Sequence, residues 1–290
     1  MCDELTAADA DRHLSRRGFT AGAAALGVAA MLPRAANAMP VGGRDVVIKT
    51  PDGECDAYFV APAGSGKHPG VLVWPDIGGL RPAFRQMADR LAEAGYAVLT
   101  VNAFYRSAKP PYTQEGEAPD APAIRGRAME YRKLLTPEAA ASDANAFVNF
   151  IDAQKEVDRK RGIGTTGYCM GGPLVMRTAA ARADRVRAGA SFHGGGLATG
   201  DADSPHLLIP KMKAHYLIAV AENDDQRNPA EKETLRTAFA AAKLPAEIEV
   251  YAGAQHGWCP PDSRVYNQAQ AERAWERLIA LFGTALKGPA

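Results

Sequence analysis

The segment Gly167-Tyr168-Cys169-Met170-Gly171-Gly172 follows Ile163-Gly164-Thr165-Thr166 and precedes Pro173-Leu174-Val175-Met176-Arg177-Thr178-Ala179-Ala180. The first flank is short and partly β-branched and reads as the end of a strand; the second reads as a helix. Strand, glycine-flanked turn and helix together match the nucleophile-elbow pattern G-x-S-x-G, with cysteine in the serine position. The chemistry needs this arrangement. A sharp turn lifts the thiol above the sheet edge, and Gly167 and Gly171 keep Cβ atoms out of the crowded backbone. The following helix aims its positive end at the site, which favours thiolate and oxyanion. The plain alternative is a buried cysteine serving as a small core residue beside a glycine turn.

Strand and helix patterns alternate on both sides of this segment. Asp45–Thr50 and Cys55–Val60 are β-rich runs separated by the turn signal Pro51-Asp52-Gly53, which predicts a hairpin. Gly70–Trp74 is a continuous apolar run, as expected of a strand buried on both faces, and Tyr96–Val101 is another. Between them Arg81–Ala94 carries apolar residues at helical spacing. Asn102–Thr136 is a long excursion rich in Pro, Arg and Glu, with a helix expected over Ile124–Leu135; long insertions at strand ends tend to wall a site. A helix over Pro137–Val157 leads into the elbow. Strands are expected at Arg187–Phe192, His215–Val220 and Glu247–Tyr251, and helices at Pro229–Ala242 and Val265–Leu281. This alternation predicts an α/β fold with a mostly parallel sheet covered by helices on both faces, as one domain over residues 39–290.

Chemistry-bearing residues recur at the ends of these strands: Cys169 after one, Asp224 after another and His256 after the last. In a parallel sheet those ends share one edge, where ligands bind. The order nucleophile, acid, histidine is that of the α/β-hydrolase fold. In these roles His256 takes the thiol proton, Asp224 holds the imidazole tautomer and stabilises its cation, and Cys169 attacks as thiolate. Asp225 competes with Asp224 for the acid position by one residue of register. The oxyanion hole needs two backbone donors, expected at Met170 and at Ile77 in the loop after Gly70–Trp74. Asp76 in that loop either meets the thiol and modulates its ionisation or simply caps the loop. His193, ahead of three glycines, is read as a strand-end turn, and His68, His206 and His215 as structural. No clustered third ligand accompanies His256 and Asp224, so no metal is expected.

Taken together, Trp74-Pro75-Asp76-Ile77-Gly78-Gly79, Asn102-Ala103-Phe104-Tyr105-Arg106, the elbow, Ala221-Glu222-Asn223-Asp224 and Gly253-Ala254-Gln255-His256-Gly257 resemble the dienelactone hydrolase family over residues 45–284. The resemblance implies a cofactor-free α/β-hydrolase of the carboxymethylenebutenolidase type. It also implies a Cys-Asp-His triad acting on lactones or esters, and an acid in the oxyanion loop that interacts with the thiol, here Asp76 in place of glutamate. Members acting on dienelactone hold the substrate carboxylate with arginines. Arg106 matches one; where the other would follow the histidine this chain has Trp258-Cys259-Pro260, which weighs against dienelactone itself. Tyr105 and Arg106 are candidate substrate contacts, and Trp258 a candidate apolar wall. Rival readings are an acyltransferase or peptidase on the same triad, a periplasmic binding protein that keeps only the fold, and thiol redox chemistry involving Cys259.

Composition bounds the rest. A net charge of +1 points to neither nucleic acid nor an anionic membrane surface. The cysteines, Cys2, Cys55, Cys169 and Cys259, form no C-x-x-C pair, and at most Cys55 and Cys259 could pair while Cys169 stays free. At the N-terminus Ser-Arg-Arg-Gly-Phe-Thr over 15–20, an apolar run Ala21–Leu32 and Ala36-Asn37-Ala38 make a secretory leader of twin-arginine type. The apolar run is too short and too rich in Ala and Gly for a membrane span. Residues 1–38 are therefore expected to be removed by the export route, leaving a mature periplasmic chain from about Met39 with no membrane attachment. The sequence does not address the oligomeric state.

Overall fold

The computed structural model describes residues 32–33, 38–110 and 122–288. The leader reading, apart from its last residues, and the middle of the 102–136 excursion lie outside the described residues.

One eight-stranded sheet organises the chain, in the order β1-β2-β4-β3-β5-β6-β7-β8. The strands are β1 (Val41–Thr50), β2 (Gly53–Pro62), β3 (Gly70–Trp74), β4 (Ala97–Val101), β5 (Ile163–Tyr168), β6 (Val186–Phe192), β7 (His215–Ala221) and β8 (Ala246–Tyr251). The expected hairpin forms, with Thr50 opposite Gly53 across Pro51-Asp52. β2 is antiparallel to both neighbours, and β4, β3, β5, β6, β7 and β8 run parallel.

Parallel neighbours need crossovers, which carry α1 (Pro82–Glu93), α2 (Pro122–Arg132), α3 (Pro137–Ala153), α4 (Gly171–Ala181), a 3-10 turn (Pro205–Lys211), α5 (Glu222–Arg227) and α6 (Ala230–Ala241); α7 (Gln268–Ala285) follows the last strand. Strand residues alternate between two buried faces. Leu72, Trp74, Leu99 and Val101 meet Phe147 and Val148 of α3 and Val175 and Ala179 of α4. Val71, Val73 and Val98 join Phe84 and Leu91 of α1 and Leu278 and Phe282 of α7 on the other side. Period-2 alternation inside wholly apolar strands follows from burial on both faces. Trp74 is fully buried, packs on Phe147 at 5.5 Å between ring centres, and donates from Nε1 to Thr178 Oγ1 at 3.1 Å. That ties the end of β3 to α3 and α4, beside the loop that follows.

The order β4-β3-β5 reverses the direction of winding between β3 and β5. Such a switch point opens a crevice at the carboxyl ends of the strands. The loop after β3 and the turn after β5 flank it, because Trp74 is paired with Gly167.

Three elements differ from expectation. α3 stops at Ala153 rather than Val157, because Gln154 turns extended and Val157 bridges to His68. The final helix is shifted toward the C-terminus, starting where Asn267 accepts from the Gln270 amide as an N-cap. Glu222–Arg227, read as a strand-end loop, winds into a short helix with three acids in its first turn, where the helix dipole favours them.

Candidate active site

β5 is buried along its whole length and ends at Tyr168. Cys169 then adopts φ +52°, a left-handed conformation costing about 1–3 kcal/mol for a non-glycine residue. The turn is tight enough that a Cβ on Gly167 would lie 2.3 Å from the Gly171 carbonyl oxygen, and one on Gly171 would lie 2.4 Å from the Trp74 carbonyl oxygen. Glycine is therefore required at both positions. Met170 is the first residue of the turn into α4, so its amide belongs to the unpaired N-terminal set of the helix.

His193 was read as a turn residue, and the structure gives it more. It stands at the end of β6 with φ +42° and no solvent exposure. Its Nδ1 accepts from the Cys169 amide at 3.1 Å, an amide that also donates to the Phe192 carbonyl at 3.1 Å. An imidazole accepting at Nδ1 carries its proton on Nε2. Burial, then the neighbouring His256, push its pKa well below 6.5, so the ring is neutral. The His193 ring centre lies 5.0 Å from that of His256 and 5.0 Å from that of Trp258.

The acid and histidine come from β7 and β8. Asp224 Oδ2 lies 2.6 Å from His256 Nδ1, and both side chains are mostly covered. Asp225 instead pairs with Lys232. Two further contacts align the same loops: Asn223 Oδ1 accepts from the His256 amide at 2.9 Å, and the Glu222 amide donates to the Ala254 carbonyl at 2.9 Å. Asn223 has no recognisable motif of its own. Only its place before Asp224 in a strand-end turn hints at a role.

In the loop after β3, Asp76 Oδ1 accepts from the Gly78 amide at 2.7 Å, the capping role considered from sequence. Its carboxylate also receives Arg81 through two nitrogens, at 2.6 and 3.0 Å. Arg81 reaches Asp262 as well, at 2.7 and 3.0 Å. Burial works against its charge, but Asp76 and Asp262 outweigh it and raise its pKa. The guanidinium thus joins the loop carrying Ile77 to the loop carrying His256. Sequence reading missed this residue, because its partners stand 5 and 181 positions away.

The candidate substrate contacts require correction. Trp258 is fully buried, stacked on Tyr251 at 5.3 Å, and cannot wall a substrate. Arg106 is bound to Asp143, whose side chain has no exposure, and to Asp52. Tyr105 donates to Asp143 Oδ1 at 2.7 Å and bonds Thr50 Oγ1 at 2.8 Å. Both side chains hold the β4 end against α3 and the β1–β2 turn. Cys55 and Cys259 are free thiols in separate apolar clusters on opposite faces of the sheet, so they do not pair. Cys259 lies in the other apolar cluster from Cys169. Among the described residues no group of His, Cys, Asp and Glu could hold a metal ion.

A nucleophile elbow after β5, an Asp–His pair after β7 and β8 and this strand order define an α/β-hydrolase fold. The model of the "Dienelactone hydrolase family" matches residues 55–286, and the chain belongs to that family. Membership makes it a hydrolase of lactones or carboxylic esters. A Synechocystis sp. protein named "Putative carboxymethylenebutenolidase" is 28% identical over 79% of this chain and 92% of its own. A Rhodococcus opacus protein named "Carboxymethylenebutenolidase" is 26% identical over 81% of this chain and 88% of its own. The crystal structure of a Klebsiella pneumoniae protein described as "Putative Dienelactone Hydrolase" superposes with TM-score 0.72 at 23% identity, covering 84% of this chain and 99% of that one.

Proposed function

We propose that the chain hydrolyses a carboxylic ester or lactone through Cys169, His256 and Asp224, as an exported enzyme. The observation that carries this reading is a left-handed cysteine at the β5–α4 turn, on the same sheet edge as a histidine held 2.6 Å from a carboxylate. In this mechanism His256 takes the Cys169 proton and the thiolate attacks the acyl carbon. The amides of Met170 and Ile77 hold the resulting oxyanion. The tetrahedral adduct collapses as the C–O bond to the alcohol breaks, and His256 returns the proton to the departing oxygen. Water then attacks the thioester, giving its proton to His256, and the carboxylic acid leaves as the thiolate is expelled. Asp224 keeps Nδ1 protonated, so that Nε2 does the proton transfer, and stabilises the imidazolium. The names borne by the Synechocystis and Rhodococcus relatives support a lactone as the substrate.

The test is turnover of a short p-nitrophenyl ester by the chain from Met39, beside Cys169→Ala and Cys169→Ser. Cys169→Ala is expected to lose roughly 10³-fold or more in kcat, and Asp224→Asn roughly 10²–10⁴-fold. Activity untouched in Cys169→Ala sinks the nucleophile assignment. Export is read from the Arg16-Arg17 leader; cell fractionation and N-terminal sequencing of the exported chain check it, with Met39 expected first.

A further inference from the structure

We propose that the folded domain binds the end of its own leader: a cleft between α1 and α7 takes the apolar segment at Leu32, and removal of residues 1–38 uncovers that cleft. The inference stands apart from the ester chemistry. The cleft is lined by Met87 and Leu91 of α1, by Ala271 and Ala274 of α7 and, from the sheet, by Tyr168 and Phe192. Ala271 and Ala274 stand three residues apart on one helix face, and their small side chains leave the gap that larger residues would close. Leu32 lines the same cleft and is half-buried, although it belongs to neither strand nor helix.

The chain path explains why this segment is the occupant. Met39 donates its amide to the carbonyl of Glu93, the last residue of α1, at 3.0 Å, and Ala63 donates to the Pro40 carbonyl at 2.7 Å, so the chain is fixed to the domain from Met39 onward. Met87 and Leu91 precede Glu93 on the same helix, roughly 9 and 3 Å back along its axis. The chain from Leu32 to Met39 can span up to about 25 Å, well beyond that distance. The last apolar residue of the leader is thus tethered within reach of the cleft, and tethering gives it a high effective concentration there. The lining agrees with an apolar guest. Among the described residues Arg90 is the one charged group lining the cleft; its guanidinium is bound to Glu272 and lies 4.1 Å from the centre of the Trp275 ring.

Trp275 also lines the cleft and reports on it. Trp74 and Trp258 are fully buried, Trp275 is partly exposed, and residues 1–38 contain no tryptophan. Acrylamide quenching of fluorescence is compared in the full chain, its Leu32→Asp and Leu32→Met variants, and the chain from Met39. Leu32→Asp and the chain from Met39 are expected to quench about twofold more steeply than the full chain, because the contact over the cleft is lost. Leu32→Met is expected to keep the full chain's value. Adding Trp275→Phe is expected to abolish the difference. Leu32→Asp is also expected to lower the melting temperature of the full chain by about 2–4 °C, the shift that partial burial of one leucine gives in a chain of this size. Equal quenching in the full chain and Leu32→Asp overturns the inference, and so does a difference that persists in Trp275→Phe. Shallow quenching in the chain from Met39 that steepens on dilution gives the cleft to a second copy, and overturns the leader as its occupant.

Discussion

The residue that the fold treats most unusually, apart from Cys169, is His193. Two adjacent strands end in left-handed non-glycine residues, and one hydrogen bond, from the Cys169 amide to His193 Nδ1, ties them together. Losing this acceptor leaves the amide only its bond to the Phe192 carbonyl, a loss worth about 0.5–1.5 kcal/mol. His193→Phe keeps a ring in place but removes the acceptor. It is expected to lower kcat about tenfold with KM nearly constant, and to slow alkylation of Cys169 by iodoacetamide. His193→Asn offers an oxygen near the Nδ1 position and tolerates positive φ, so it is expected to recover most of the alkylation rate. Equal losses in both variants would show that the ring, not the acceptor, matters. The same imidazole has a pH signature. Its folded pKa is depressed, chiefly by burial, so below about 6.5 the unfolded chain binds a proton that the native chain refuses. Stability is fully present above that value and declines as pH falls. In urea titrations between pH 7.5 and 5, the decline is expected to be shallower in His193→Asn, by up to about 1.4 kcal/mol per pH unit.

At the scale of elements, the site is a set of loops at the sheet edge, joined crosswise. Glu222, Asn223 and Asp224 are consecutive, and each contacts the Gly253–His256 loop through a different group. Arg81 makes the corresponding link between the loop after β3 and the loop after β8. Arg81→Gln leaves Asp76 and Asp262 facing each other without a cation. It is expected to lower kcat more than Asp262→Asn, which keeps the Asp76–Arg81 pair, and both are expected to change KM little. A fall in melting temperature with kcat preserved would assign the link to stability alone. The elbow has no room for a side chain at Gly167. The Cβ in Gly167→Ala would stand 2.3 Å from a backbone oxygen, with no flexible side chain there to yield. The variant is expected to lose about 3 kcal/mol or more of stability in urea unfolding, or to fail to fold.

For the whole molecule, the sheet separates two cores, and the cysteines report on that division. Cys55 and Cys259 are buried on opposite faces, and burial raises both thiol pKa values. In the chain from Met39, a thiol reagent at pH 8 is expected to modify one cysteine quickly in the native state and the remaining two only on unfolding. Two equivalents consumed before unfolding would contradict this burial. No described helix is long and apolar enough to cross a membrane.

The sequence by itself determined the class of the fold, because its signals are local. Apolar runs such as Gly70–Trp74, helical spacing in Arg81–Ala94 and glycines around Cys169 each act within a few residues of chain. Chain order then carried Cys169, Asp224 and His256 to one sheet edge, because parallel strands end together. Only the tertiary structure decided what depends on long-range contact. It gave Asp224 rather than Asp225 to His256, a matter of one residue of register, because Lys232 claims the second acid. It buried Trp258, whose position beside the histidine in sequence says nothing about which way the ring turns. It committed Arg106 to Asp143 and Asp52, and Arg81 to Asp76 and Asp262, partners brought from separate elements. A charged side chain advertises its charge in sequence, but the folded chain alone decides whether that charge is left for a ligand or spent on its own carboxylates.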